Sequence, residues 1–401
     1  MKVGIWLDAE YTPEEGGGYS YYEKLVQAID AYPFDSSIDV CFVTESQSAD
    51  LHLQRSLYRL TYTPNFSIWK HVKKRFSRVC QNELIRENAI NKQKRYRQIL
   101  KDNGIDVIYY LRQAECYYIN NYPFIATNWD IGHSSTYAFP EVAMDGQFES
   151  RNHFYINILP KALFVFAESE AGKQELLQYT RVSANKIKVV PIFAGNCVED
   201  TISEIEQQNV LEQYSLIPHK FFFYPAQFWA HKNHYGLLCA FAKFHKNHPE
   251  YKLVFTGSDK GNLVYVKSLV EKFNLIDSVV FPGFVPTSVI NTFYKQSTSL
   301  VMASFFGPTN MPPIEAMQLG CPVICSDISG HREILGDAAL YFDPADTQSI
   351  VDAMEQVSYK RDQYVKFILK QSVESKFTVD CALCSINNAL MQLVPIRSTW
   401  Q

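Results

Sequence analysis

Short, unbroken apolar runs recur along the whole chain, separated by longer stretches of mixed polarity. In the first half they are KVGIWLD (2–8), DVCFVTE (39–45), DVIYYL (106–111), FIATNWD (124–130), LFVFAES (163–169) and IKVVPI (187–192). In the second half they are FFFYPA (221–226), KLVFTG (252–257), SVVFPGF (278–284), SLVMAS (299–304), PVICSD (322–327) and ALYFDP (339–344). The runs do not alternate with polar residues, and β-branched and aromatic side chains dominate them, as in strands covered on both faces. Helical patterns fill the spaces between them, at 19–31, 233–248, 263–274, 287–297, 312–319 and 347–358. This alternation predicts parallel strands joined by right-handed crossovers. The pattern fades over the polar, acidic stretch 195–218, where a linker is expected. The fold class is therefore α/β: two Rossmann-like, doubly wound domains, 1–200 and 201–378, facing each other across a cleft. A helical segment, 379–401, is expected to pack back toward the first domain. Ligands of such sheets bind beyond the carboxyl ends of the strands.

The length of 401 residues calls for more than one core. With 47% apolar and 20% charged residues the composition is that of a soluble globular protein, and a net charge of −4 gives no pull toward nucleic acid. Nine cysteines, odd in number and scattered, suggest reduced thiols in a cytoplasmic protein. Cys381 and Cys384 form a lone C-x-x-C, short of the roughly four ligands of a structural zinc site, and are expected in the core. The first residues, MKVGIWLDAEY, meet Asp8 too early for a signal peptide. No apolar run approaches the ~20 residues that cross a bilayer.

The charge is unevenly spread. Residues 51–101 hold thirteen Lys and Arg against Glu83 and Glu87, a local +11 that leaves −15 for the rest. Phe66, Ile68, Trp69, Val72, Phe76 and Val79 interleave with the basic residues. The segment reads either as a solvated helical face or as one that lies on an anionic membrane surface through 66–79. A peripheral place on the inner face of a membrane follows from the second reading. No nucleic-acid-binding module accompanies the charge.

Candidate chemistry gathers at strand ends. The stretch FFGPTNMPPIEAMQLGCPVI (305–324) follows an apolar run and holds a short helix. Pro312 and Pro313 set a sharp start, and Gly320 suits the position past its end. The helix N-terminus, pointing into the cleft, favours an anion such as a diphosphate. Gly307 lets the backbone approach a ligand. Glu315 can accept two hydrogen bonds from a ribose diol, or serve as an ordinary acid in the first turn. In YPAQFWAHKNHYGLL (224–238) a loop supplies Gln227, His231 and Lys232, and Lys232 can neutralise a leaving diphosphate. FTGS (255–258), with Gly257, and PGFV (282–285), with Phe284 and Val285, also end strands. In the first half, EEGGGYSYYEKL brings Gly17 and Gly18 to a strand–helix turn without the G-x-G-x-x-G spacing of a dinucleotide fingerprint. NWDIGHSSTYAFPE (128–141) places Asp130 and His133 beyond another strand, where an imidazole can meet a sugar hydroxyl.

Taken in order, GGGYSYY, TNWDIGHSSTYAFPE, VFAESEAGKQEL, IKVVPI, YPAQFWAHKNHYGLL, VVFPGFV and FGPTNMPPIEAMQLGCPVICSDISGHREILGDAALYFDP resemble the retaining nucleotide-sugar glycosyltransferases of family 4. The likeness covers nearly the whole chain, is most specific over 221–344, and is weakest over 51–101. HKNH with FGPTNMPPIEAMQLG resembles a bacterial subgroup that builds surface polysaccharides such as O-antigens.

The resemblance implies the two-domain fold called GT-B, a hexosyltransferase activity, and no obligatory metal or other cofactor. It implies a nucleotide-diphosphate sugar as donor and a glycan or lipid-linked glycan as acceptor. Lys232 matches the family lysine that contacts the diphosphate, and Glu315 the second acid of an E-x7-E motif, which holds the ribose. Backbone around Gly307, Thr309, Asn310 and Met311 would meet the diphosphate and donor sugar. Gly17, Gly18 and His133 would face the transferred sugar and the acceptor. Ser169, Glu170 and Lys173 lie in a matching stretch and take no role.

Two positions depart from the family pattern. Gly307 stands where the first acid belongs, with Asn310 as a substitute, and Gln227 stands where a basic residue belongs, leaving the diphosphate to Lys232 helped by His231. The departures imply an altered donor preference or weakened activity. They also keep open a non-catalytic nucleotide-sugar-binding partner of a polysaccharide assembly. A GT-B-shaped sugar-nucleotide epimerase is a further alternative, one that would need a carboxylate pair flanking the sugar.

Overall fold

The apolar runs of the first half become strands of one sheet. They are β1 (Lys2–Leu7), β2 (Asp39–Thr44), β4 (Val107–Tyr110), β5 (Phe124–Asn128), β6 (Phe164–Ala167) and β7 (Ile187–Val189), with a short edge strand β3 (Leu57–Arg59) inside the basic segment. The order is β3-β2-β1-β4-β5-β6-β7, and every pairing is parallel. The second half forms a six-stranded parallel sheet of β8 (Phe221–Pro225), β9 (Lys252–Thr256), β10 (Val279–Gly283), β11 (Ser299–Met302), β12 (Val323–Ser326) and β13 (Leu340–Phe342), in the order β10-β9-β8-β11-β12-β13. This computed structural model describes residues 1–8, 11–12, 16–46, 52–63, 78–113, 119–136 and 138–399, with the side chains of 78–85 outside the description.

Both sheets are wound outward in two directions from a central pair, β1/β4 in the first and β8/β11 in the second. Such switch points open a crevice at the carboxyl ends of the strands. The glycine turn at 16–18 follows β1, the loop 226–233 follows β8, and the loop 303–310 follows β11. Three of the candidate stretches therefore sit at the two crevices.

The main described helices are α1 (Gly17–Ala31), α2 (Arg78–Asp102), α3 (Glu170–Tyr179), α4 (Glu204–Gln213), α5 (His234–His245), α6 (Leu263–Lys272), α7 (Thr287–Gln296), α8 (Met311–Gln318), α9 (Ser329–Leu335), α10 (Thr347–Glu374) and α11 (Val379–Arg397). Helix α4 occupies the stretch expected to be a linker. Its start is a capping box, with the Ser203 hydroxyl accepting from the Glu206 amide and the Glu206 carboxylate accepting from the Ser203 amide. Helix α10 outruns the expected end at 358, because it only kinks at Lys360 (φ −119°, ψ 24°) before continuing. Helix α11 packs against α1 and β7, and Arg397 pairs with Asp106 at 2.6 Å.

Two sequence expectations need correction here. One stretch within Thr347–Arg397 is, by length and composition, apolar enough to cross a membrane. A third of that stretch is buried inside the protein; in α11 the buried residues are Ala382, Leu383, Ile386, Ala389, Leu390 and Leu393, while Met391 and Ile396 are exposed. Cys381 is half-buried and Cys384 exposed, so the C-x-x-C is not core packing. Phe66, Ile68, Trp69, Val72 and Phe76, and the side chain of Val79, lie outside the described residues.

Candidate active site

Phe221 to Tyr224 of β8 are wholly buried, and the chain leaves the sheet at Pro225. A single 3-10 turn, Ala230–Lys232, then sets Lys232 at the sheet's carboxyl edge. The turn is fixed from both sides. Tyr224 donates its hydroxyl to the Lys232 carbonyl at 2.6 Å, and Asn233, in the left-handed region at φ 55°, caps α5 by accepting from the Gly236 amide at 3.0 Å. The Lys232 ammonium donates to Asn310 Oδ1 at 2.9 Å. Burial lowers its pKa to about 8, against the upward pull of Asp130 and Glu141. Among the described residues no carboxylate lies within ion-pair distance of it, so its charge is available to an anion.

Asn310 is the N-cap of α8, yet its side chain makes no capping bond. Its amide lies between Lys232 and His331, with Nδ2 donating to His331 Nε2 at 3.0 Å. His331 Nδ1 donates in turn to the Ser326 carbonyl at 2.8 Å. Burial lowers His331 to about 4, so the ring is neutral with its proton on Nδ1. Asn310 is thereby forced to turn its oxygen toward Lys232. Pro312 and Pro313 carry no N–H, so the donors left at this helix end are the amides of Asn310 and Met311. Gly307 has φ 121°, and a Cβ there would lie 3.2 Å from the Thr309 carbonyl oxygen. An acid at 307 would require a different loop, not a different side chain on this one. A Cβ on Gly330 would fall within the Pro308 carbonyl, which fixes the loop from behind.

Glu315 lies deeper along α8 and is 6% exposed. Oε2 accepts from the Tyr294 hydroxyl at 2.7 Å and Oε1 from the Gly195 amide at 3.2 Å. Burial raises its pKa despite these bonds. The Cys197 thiol also lies within hydrogen-bonding reach of this carboxylate, so three of its roughly four acceptor positions are engaged within the protein. Neither Tyr294 nor Gly195 was recognisable from the sequence, being 21 and 120 residues away from their partner.

The first half closes over this wall at glycines. Ideal Cβ atoms on Gly16, Gly17, Gly132, Gly172 and Gly195 would stand 2.9, 2.9, 2.6, 3.3 and 2.8 Å from Gln227, Met311, Phe306, Pro308 and Glu315 respectively. His231 bridges the halves: its amide and Nδ1 both reach Glu141 Oε1, at 2.9 and 2.5 Å, and its ring stacks on Phe306 with centroids 4.1 Å apart. Burial brings His231 down to about 4, although Glu141 pulls it up. Burial also acts to raise Glu141, and the hydrogen bonds from His231 hold it below its ordinary range. Ser169 caps α3 and donates to the Pro308 carbonyl at 3.3 Å, while Glu333 accepts from the Glu170 and Ala171 amides at 3.0 and 2.8 Å. Thr309 donates to Glu168 at 2.5 Å.

The sequence-derived residues do not all converge. Lys232, Asn310, Met311, Thr309, Gly307, Glu315, Gly17, Gln227 and His231 meet at the cleft. Gln227 bonds Ser258 at 3.1 Å and Trp229 at 3.0 Å. Gly257 passes beneath the loop after β8, where a Cβ would come 2.6 Å from the Ala226 carbonyl. Phe284, 69% exposed, and Val285 follow the edge strand β10 and lie at the rim. His133 is fully buried, with its ring 4.8 Å from that of Tyr155, and burial lowers it to about 4. Both its nitrogens lack a hydrogen-bond partner among the described residues. Sequence reasoning passed over Glu168, Glu141 and His331. Glu168 carried a faint signal, an acid directly abutting an apolar run. A cavity of about 420 Å³ lies elsewhere, between β7 and α11. Among the described residues no group of three or more His, Cys, Asp and Glu is arranged to hold a metal ion.

Residues 211–371 match the family model described as glycosyl transferases group 1, so the second half of the chain carries that domain. The O-antigen chain mannosyltransferase B of Escherichia coli is 27% identical over 195 residues, 48% of this chain and 50% of that protein. The match thus spans about half of that relative's length. Among solved structures, sucrose-phosphate synthase from Thermosynechococcus elongatus is similar over 98% of this chain and 99% of its own, with a TM-score of 0.70 and 17% identity. Anabaena Alr3699/HepE, solved in complex with UDP-glucose, is similar over 98% and 100%, with a TM-score of 0.68 and 16% identity. The two parallel-sheet halves have the GT-B architecture.

Proposed function

We propose that the chain is a retaining hexosyltransferase that uses a nucleotide-diphosphate sugar and builds surface polysaccharide on a glycan or lipid-linked glycan. The observation that carries this reading is the Lys232–Asn310 pair. It is an ammonium with no carboxylate beside it among the described residues, aimed at the N-terminus of an uncapped helix inside the group 1 domain. The diphosphate lies against Lys232 and the Asn310 and Met311 amides, and the ribose lies against Glu315. The anomeric carbon–oxygen bond to the diphosphate breaks while the acceptor hydroxyl bonds to that carbon on the same face. The acceptor's proton passes to the leaving phosphate oxygen. Lys232 and the helix end stabilise the charge that builds there, the kind of contribution for which one donor supplies about 3 kcal/mol. We draw the reaction without a metal ion, in a cytoplasmic protein that works at a membrane face.

The relatives named as mannosyltransferases make a nucleotide-linked mannose the first donor to test, and the UDP-glucose complex of a structural neighbour makes UDP-glucose the second. The test is a panel of nucleotide sugars, with and without glycan acceptors, scored by nucleotide release and by the anomeric configuration of the product. Release from one donor with an α-linked product supports the reading. No release from any donor, an inverted product, or an epimerised donor without an acceptor overturns it.

A further inference from the structure

Glu168 is the first residue beyond β6, and its side chain reaches across the cleft to the loop that leads into α8. It is 6% exposed. Oε2 accepts from Thr309 Oγ1, and Oε1 has no hydrogen-bond partner among the described residues. Among those residues no cation compensates its burial. The charged group that acts on it is the Asp130 carboxylate, which repels, and the phenols of Tyr21 and Tyr109 lie beside it. Burial lifts the carboxyl to about 8, so at neutral pH it is the uncharged acid. In that form it holds one O–H donor in addition to its acceptor positions.

A hydroxyl–carboxyl bond returns about 1 kcal/mol, less than the desolvation of a carboxyl group costs. As a simple latch between the halves Glu168 is therefore a poor choice, since a serine or asparagine would hold Thr309 with less buried polarity. An acid kept in a cleft with one of its two oxygens left without a partner among the described residues is better explained by a ligand that completes it. The ligand group is not the diphosphate, because Asp130 already disfavours negative charge beside Glu168. Thr309 lies two residues before Met311, on the side of the loop that faces the first half. A sugar attached to a diphosphate held at Met311 and Lys232, as in the function proposed above, would extend toward that side of the loop.

We propose that Glu168, anchored by Thr309, hydrogen-bonds one hydroxyl of the transferred hexose and so selects among donors that differ at that carbon. The proposal rests on the sugar-transfer reading of the site. Glu168 is a specificity-determining residue, with a role separate from stabilising the leaving diphosphate.

The test compares the wild-type chain with Glu168→Ala, Glu168→Gln and Thr309→Val on the preferred donor and on its monodeoxy analogues, together with binding of the free nucleoside diphosphate. Glu168→Ala should lower kcat/KM for the intact donor tenfold or more and leave nucleotide affinity unchanged. One deoxy analogue should be used equally by wild type and Glu168→Ala, because the hydroxyl that Glu168 reads is missing from it. Glu168→Gln keeps a donor and should retain the selectivity even where the alanine variant folds poorly. A uniform loss over all analogues, reproduced by Thr309→Val, makes Glu168 a latch and overturns the proposal. A wild-type profile in Glu168→Ala overturns it as well. Failure of the wild-type chain to release nucleotide from any donor overturns the sugar-transfer reading itself.

Discussion

Across the two walls of the cleft, the groups around Lys232 and those around Glu168 are treated in opposite ways, although His234, behind the second wall, is, like His133, buried with both nitrogens unpaired among the described residues. In the second half, Lys232, Asn310, His331 and the Ser326 carbonyl form one continuous chain of hydrogen bonds. Glu315 has donors of its own in Tyr294, Gly195 and Cys197. In the first half, among the described residues, Glu168 has one partner and no cation, and His133 is buried with both nitrogens unpaired. A finished network holds its geometry before any ligand arrives, which suits a part of the substrate common to many donors. Groups left open cost stability until something fills them, which suits the part that varies. On the function proposed above, the difference fits a second half that holds the nucleotide diphosphate and a first half that chooses the sugar.

Acid should separate the two walls most strongly. His231 and His331 are held at about 4 and His234 at about 3, below the ordinary 6.5. The unfolded chain takes up protons there that the folded second half refuses, so its stability falls as pH drops from 6.5 toward 4. Glu168 at about 8 and Glu175 at about 7 stand above the ordinary 4.5. Their contribution is full below 4.5 and is lost as pH rises through 7 to 8. Among the carboxyl and imidazole groups, His133, Glu141 and Asp35 in the first half and Glu315 in the second run against their neighbours. Each tenfold difference in proton affinity between the folded and unfolded chain is worth about 1.4 kcal/mol, so the second half should lose several kcal/mol as the medium is acidified from neutrality to the histidine range. Hydrogen exchange on peptides from 221–342 and 2–189 reads this directly. An equal response in the two halves would erase the contrast.

Lys232→Ala comes next in size. It removes the charge at the finished wall and should lower kcat/KM for the donor about 10²–10³-fold while the protein stays folded. Nucleotide release near the wild-type rate would move the diphosphate away from this wall. The smallest effect belongs to the open wall. His133→Phe keeps the ring packed on Tyr155 and removes two unpaired nitrogens, so thermal stability should hold or rise by up to about 1 kcal/mol. Transfer should fall at least fivefold with nucleotide affinity unchanged. Full activity in this variant would return His133 to the core.

Much of the fold was readable because apolar runs report burial on both faces regardless of what they pack against. The β1 and β8 runs appear within a residue of their expected ends. Helix α4 was missed although Ser203 and Glu206 stand at capping-box spacing, because the polarity of the stretch outweighed a local signal. Of the site, Lys232 and Asn310 were readable as residues at strand ends and helix starts. Their partners were not. His331 and Glu141 act across 21 and 90 residues, and no spacing rule connects an imidazole to an amide that it orients through space. Gly307 was legible as a departure, but its left-handed backbone was not, and that backbone is what makes the departure structural.

The five glycines at the seam between the halves turn the degree of opening into a quantity that can be set one carbon at a time. An alanine at 132 has to displace the Phe306 ring, one at 195 abuts the Glu315 carboxylate, and one at 172 meets a proline ring at 3.3 Å and the Ser169 hydroxyl at 3.4 Å. Substituted singly, they form a graded series of spacers with different thicknesses and different hardness. Apart from the one at 195, which meets Glu315, such a series would hold the protein at successive gapes without touching Lys232, Glu315 or Glu168. The rate of each chemical step could then be plotted against the width of the cleft.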